Sequence, residues 1–324
     1  MIRNLKSLLF TDIPLWFVWF PFRSLIQRLP LRLVTLLGGV GGIVMYKFSK
    51  KKKKIITREI SLLFSKTAPL KQEEIEKIAY KGIQVFCKRH MENLYWGKLN
   101  HEITGQMVSI DGMQHLENAL KNGSGAILLT AHFGSHLLPP LVLGFKGYKI
   151  HQAAGPPLID KQRPIYRRIF NQRVKESEKQ PINFIVIGQS TRNMLRVLRK
   201  NEILFIAFDG SEASKMIPVN FFNQKAFFSP GTFKLSLMTK APILPTFIIR
   251  QKDDTHKIII EPPFELEPAE DEEKTLALNT ARFAKIFEKY ILKYPCHYVM
   301  TLMRVEELIQ EGALQTNLFR TENK

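Results

Sequence analysis

The sequence predicts an α/β fold: a mixed central sheet flanked by helices, preceded by a helical N-terminal segment that faces a membrane. Three observations predict it. From residue 126 onward short apolar, β-rich runs alternate with helical stretches. Residues 70–97 carry a helical apolar period, and the first fifth of the chain concentrates apolar and basic residues. With 324 residues, 45% hydrophobic and 24% charged, the chain has the composition of an ordinary globular core.

Residues 1–66 form the first unit. They hold 13 Lys and Arg against 2 Asp and Glu, within a chain whose formal net charge is +19. Such an excess calls for a nucleic acid, an anionic membrane or an acidic partner. The apolar runs IPLWFVWF (13–20) and LVTLLGGVGGIVMY (33–46) lead straight into Lys50–Lys54. A bilayer span takes ~20 apolar residues; the first run is bracketed by Pro14 and Pro21 and the second stops at Tyr46, so neither reads as a span. No small-x-small cleavage site follows, so a signal peptide is not expected. The segment reads as a monotopic anchor, with Trp16, Phe17 and Trp19 at headgroup level. The lysines would then meet anionic lipid at ~1 kcal/mol each. The alternative is an apolar helix packed on the domain, with Lys50–Lys54 as a solvated turn. Nucleic acid is not the expected partner, because the charge sits beside apolar anchors and no recognised motif accompanies it.

Residues 67–310 form the α/β domain, and 311–324 a C-terminal tail. Ile75, Ile78, Ala79, Ile83, Phe86 and Cys87 lie opposite Lys71, Glu73, Glu76 and Lys77, which predicts a long amphipathic helix. Strands are expected at AILLTA (126–131), YKIHQA (148–153), NFIVI (183–187), ILFIAF (203–208), ILPTFII (243–249) and KIIIE (257–261). Helices are expected near 113–121, 160–178, 190–200, 229–240 and 275–293, with the acidic stretch Glu265–Glu273 as an exposed loop before the last. Cys87 and Cys296 have neither disulfide nor metal-ligand spacing, which fits a reducing compartment, and no cofactor is expected.

His132 follows a strand and precedes Phe133-Gly134, where α/β proteins place catalytic groups. An imidazole there can take the proton of an attacking hydroxyl; the plain alternative is a histidine hydrogen-bonded to backbone. His136 lies four residues on, but Phe133 replaces the glutamate of H-E-x-x-H and no third ligand is evident, so a metal site is not expected. No G-x-S-x-G elbow occurs, and GGVGG (38–42) lacks a preceding strand, so close helix packing explains it better than a nucleotide loop. Asp209 ends another strand and could face the same cleft, or simply form an Asp-Gly turn. Ser229-Pro230 opens a helix on which Lys234 could add charge near the mouth.

The segments TAHFGSH, PPLIDKQRPIYRRI, VLRKNEILFIAFDG, VNFFNQKAFFSPGTFKLSLMTKAPILPTFIIR and KIIIEPPFEL, in this order and spacing, resemble the lipid A late acyltransferases, the lauroyl and myristoyl transferases of the wider lysophospholipid acyltransferase group. The resemblance covers most of the chain. It implies a peripheral or monotopic enzyme on the cytoplasmic face of the bacterial inner membrane. Such an enzyme moves an acyl group from acyl carrier protein or acyl-CoA to a hydroxyl of a lipid acceptor. The family's histidine falls on His132 and its later aspartate on Asp209; Gln152, Arg168, Lys234 and His136 are the expected substrate-binding positions. Two positions depart from the pattern: the acid five residues after the histidine is Leu137, and an arginine falls on Gln152. Asp209, Asp111 and His136 are the candidates to replace the missing carboxylate, Asp209 first. Failing all three, the chain would be a catalytically inactive lipid-binding member of the fold.

Overall fold

The computed structural model describes residues 12–155, 164–187, 191–210, 215–298 and 301–302. The PPLIDKQR stretch at 156–163 and the tail at 311–324 lie outside them.

The N-terminal segment is helical. Helix α1 (Ile13–Ile26) contains a π-helical turn, Val18–Phe22, where Pro21 cannot donate an intrahelical bond. Helix α2 (Leu31–Phe48) follows Pro30, and α3 (Lys50–Phe64) begins with the five lysines as its first turns. At 18 residues α2 is long and apolar enough to cross a membrane by length and composition alone. The length argument against a span therefore does not hold for it, and its packing is more informative. It lies along α4 (Gln72–Tyr95), the predicted amphipathic helix. A Cβ on Gly38 would come within 2.7 Å of the Lys88 Cα, and one on Gly42 within 2.7 Å of the Gln84 Cα. Only glycine allows two helix backbones so close. The opposite face of α2, with Leu33, Leu36, Leu37, Val40 and Val44, is exposed.

Next come α5 (His101–Met107), β1 (Val108–Asp111), α6 (Met113–Lys121) and β2 (Ala126–Thr130). Helix α7 (Leu138–Phe145), β3 (Ile150–Ala154), α8 (Pro164–Ser177), β4 (Asn183–Val186), α9 (Thr191–Arg199) and β5 (Ile203–Ala207) continue the alternation. The hairpin β6 (Ile217–Phe221) and β7 (Gln224–Phe228) then precedes α10 (Gly231–Thr239), β8 (Ile243–Arg250), β9 (His256–Ile260) and α11 (Glu272–Lys293). Asp271 caps α11 by accepting the Lys274 N–H at 2.7 Å.

The main sheet has seven strands in the order β1-β9-β8-β2-β5-β3-β4. All neighbours are parallel except β8 and β9, which form an antiparallel hairpin. The sheet is therefore mixed and helix-flanked, as the sequence predicts, and all six predicted strands are present. Its two faces bury separate apolar clusters. One gathers Phe208, Phe233, Phe283 and Phe287 under α9, α10 and α11; the other gathers Leu128, Leu141 and Ile203 under α6 and α7. Strands β2 and β5 are adjacent and in register, Thr130 opposite Ala207. Their carboxyl ends open side by side, and the site is built there.

Candidate active site

His132 and Asp209 leave these two neighbouring strand ends. The Asp209 Oδ1 lies 3.0 Å from the His132 Nδ1 and also accepts the His132 backbone N–H at 2.9 Å. The His132 side chain is 41% exposed and that of Asp209 only 2%, so the carboxylate is a buried acceptor behind an accessible ring. An ionised carboxylate can only accept, which favours the tautomer with the ring proton on Nδ1 and the lone pair on Nε2. Of the three candidate replacements for the missing acid, Asp209 is the one whose carboxylate meets the ring. Asp111 ends the edge strand β1 and pairs with Lys257 at 2.9 Å.

His136 packs edge-on to His132 with ring centroids 4.9 Å apart. Burial, then the neighbouring His132 and Arg89, push its pKa well below the ordinary histidine value, and its Nδ1 is buried without a partner. Its neutral form is thus favoured. Behind Asp209 stands the buried Tyr298, whose hydroxyl donates to the carboxylate; burial first and then Asp209 raise its pKa well above the usual phenol value.

The chain after β2 turns sharply at Gly134, φ +56°, where a Cβ would meet the Ile248 carbonyl oxygen at 2.7 Å. This glycine is required twice over, by conformation and by space. The turn is tied down throughout. Thr301 Oγ1 donates to the His132 carbonyl at 2.6 Å, the Gly134 N–H donates to the His297 carbonyl at 2.9 Å, and Arg89 donates to the Gly134 carbonyl at 3.3 Å. Ser135 Oγ donates to the Glu92 carboxylate at 3.0 Å. Sequence reasoning missed Tyr298, Thr301, Arg89, Glu92 and Ser135. For Glu92 the signal was faint: one carboxylate between Met91, Leu94 and Tyr95 in an amphipathic helix.

Leu137 and Gln152 do not meet His132's Nδ1. Both line a cavity of ≈ 200 Å³ that also touches Trp19, Trp96, Arg173 and Phe184. Gln152 is buried on β3 with its Oε1 unpartnered. Arg168 stacks over Phe20 of α1, 4.9 Å from its centroid. Lys234 pairs with Glu272 at 3.0 Å on the surface. The structure therefore brings together His132, His136 and Asp209, while Gln152 lines the cavity beside Leu137, Arg168 stacks on α1 and Lys234 pairs on the surface. Among the described residues no group of three His, Cys, Asp or Glu is placed to hold a metal.

An accessible imidazole paired with a buried carboxylate at the strand ends of an α/β sheet is an arrangement that can activate a hydroxyl, as acyl-transfer and hydrolytic enzymes do. The family is narrower. The sequence profile of the bacterial lipid A biosynthesis acyltransferases matches residues 3–306, nearly the whole chain. The chain belongs to that family and is an acyltransferase of lipid A biosynthesis. It is 25% identical over 294 residues to the lipid A biosynthesis lauroyltransferase of Escherichia coli (strain K12), covering 88% of this chain and 89% of that protein.

Proposed function

We propose that the protein transfers a fatty acyl group from a thioester to a hydroxyl of a lipid A precursor, with His132 as general base and Asp209 as its orienting carboxylate. The single observation that carries this is the 3.0 Å contact between His132 Nδ1 and Asp209. His132 Nε2 takes the proton of the acceptor hydroxyl as its oxygen attacks the thioester carbonyl. The imidazolium, neutralised by Asp209, then returns the proton to the departing thiolate. The donor is acyl carrier protein or acyl-CoA, and the strongly basic chain favours the acidic carrier.

The same reading places the protein on the cytoplasmic face of the inner membrane, lying on it through α1 and α2. Ile13, Trp16, Phe17 and Leu25 of α1, the outer face of α2 and Phe48, itself 81% exposed, form an apolar surface beside Lys50–Lys54. So large an unpartnered patch next to cations suits an anionic interface. The inactive lipid-binding alternative rests on the neutral residues Leu137 and Gln152 and requires no turnover at all. The deciding measurement is acyl transfer from acyl carrier protein and from acyl-CoA to a lipid A precursor, by wild type and His132→Ala. We expect turnover that the substitution abolishes; equal activity in both would end the base assignment, and activity in neither would favour the alternative.

A further inference from the structure

We propose that Glu92 is a positioning residue for His132, acting through Ser135; this rests on the reading of His132 as the base. Glu92 is 3% exposed and lies on α4, remote in sequence from the loop it serves. Its Oε2 accepts from Ser135 Oγ at 3.0 Å, three residues past His132. Its Oε1 accepts from the Arg250 guanidinium at 2.7 Å and lies 3.0 Å from His256 Nε2. Arg250 and His256 end β8 and begin β9. The carboxylate is thus fixed by the sheet on one side and fixes the catalytic loop on the other.

A second tie runs from the same place. The Arg250 backbone N–H donates to His297 Nε2 at 3.0 Å, and the His297 carbonyl accepts the Gly134 N–H at 2.9 Å. Two routes therefore connect one strand end to residues 134 and 135. Burying an ionic cluster is costly, and well-packed apolar side chains would serve stability as well. What a carboxylate offers that a leucine does not is directional hold on a hydroxyl. The loop needs it: Gly134 turns in the left-handed region, and a misplacement of ~1 Å at a catalytic base can cost ~10²-fold in rate.

The test uses the full chain carrying Ser135→Ala, Ser135→Thr or Glu92→Gln. Two quantities are read: kcat against KM with an acyl thioester, and the NMR signal of the His132 ring N–H bonded to Asp209, identified by its loss in His132→Ala. Ser135→Ala should lower kcat on the order of 10- to 100-fold with KM unchanged, and should shift or broaden the ring signal. Ser135→Thr, which keeps the hydroxyl, should restore both; Glu92→Gln should match Ser135→Ala in kcat and ring signal, at a lower melting temperature because its buried pairs with Arg250 and His256 are lost. Unchanged kcat and ring signal in Ser135→Ala, or equal losses in Ala and Thr, would overturn the proposal. Should His132→Ala retain activity, the base assignment fails instead, and the ring signal in Ser135→Ala still decides whether Glu92 positions the imidazole.

Discussion

One oxygen of Asp209 accepts both the ring and the backbone N–H of His132, at 3.0 and 2.9 Å. Asp209 therefore sets the tautomer of the imidazole and the course of the chain that carries it. Asp209→Asn keeps an acceptor for the backbone but cannot hold the ring as an anion does. We expect kcat to fall by on the order of 10⁴, as in a protease triad treated the same way, with substrate affinity retained; steady-state kinetics will show it.

Restoring the family's acid should not help. Leu137 faces the cavity shared with Trp96 and Gln152, while His132 Nδ1 is already taken by Asp209. Leu137→Glu in an Asp209→Ala background should leave kcat at the level of Asp209→Ala alone. Recovery to near wild type would mean that position 137 reaches the ring.

The glycine seam between α2 and α4 leaves no room for a methyl group. Gly38→Ala and Gly42→Ala each push a Cβ against helix backbone at 2.7 Å. Each should cost ~1–3 kcal/mol, the usual range for overpacking, whereas Gly41→Ala, with nothing within 4 Å, should not destabilise. Denaturant or thermal melts of the three variants make the comparison.

Acid should destabilise the protein in two steps. Burial first, then Arg250 and His256, lower the pKa of His297 from 6.5 to about 4. Between those values the unfolded chain binds the proton more readily, so stability falls as pH drops from 6.5 to 4. Burial alone would raise the Glu92 pKa, but Arg250 and His256 outweigh it and hold it at about 2 against an ordinary 4.5. Its stabilisation is present above pH 4.5 and lost towards pH 2, on the order of 3 kcal/mol. In melts against pH, His297→Gln should flatten the upper step and Glu92→Gln the lower.

The central strands were legible because they are buried on both faces and read as continuous apolar runs, β2 and β8 most plainly. What escaped has local causes. β1 is a four-residue edge strand that mixes Ser109 and Asp111 with valine and isoleucine. The β6–β7 hairpin turns on Phe222-Asn223, both at positive φ, instead of an Asn-Gly pair. A distant carboxylate allows it: Glu288 accepts the Phe222 N–H at 2.7 Å. Helix α7 opens with Pro139-Pro140 and is buried all round, so it carries no amphipathic period. At the site, the two strand-end residues were legible because strand ends can be read from hydropathy. The residues that tie the loop were not, since Glu92 and Thr301 reach it from helix and C-terminal segments whose approach only the fold creates.

The glycine seam has one more consequence. The helix that offers the most apolar surface to the outside is clasped, backbone to backbone, by the same α4 that extends Arg89 and Glu92 under the histidine turn. Outer surface and histidine turn thus rest on adjoining turns of one helix, Gln84 and Lys88 on one side, Arg89 and Glu92 on the other. The helix against which α2 packs is therefore the one that also holds Gly134 and Ser135.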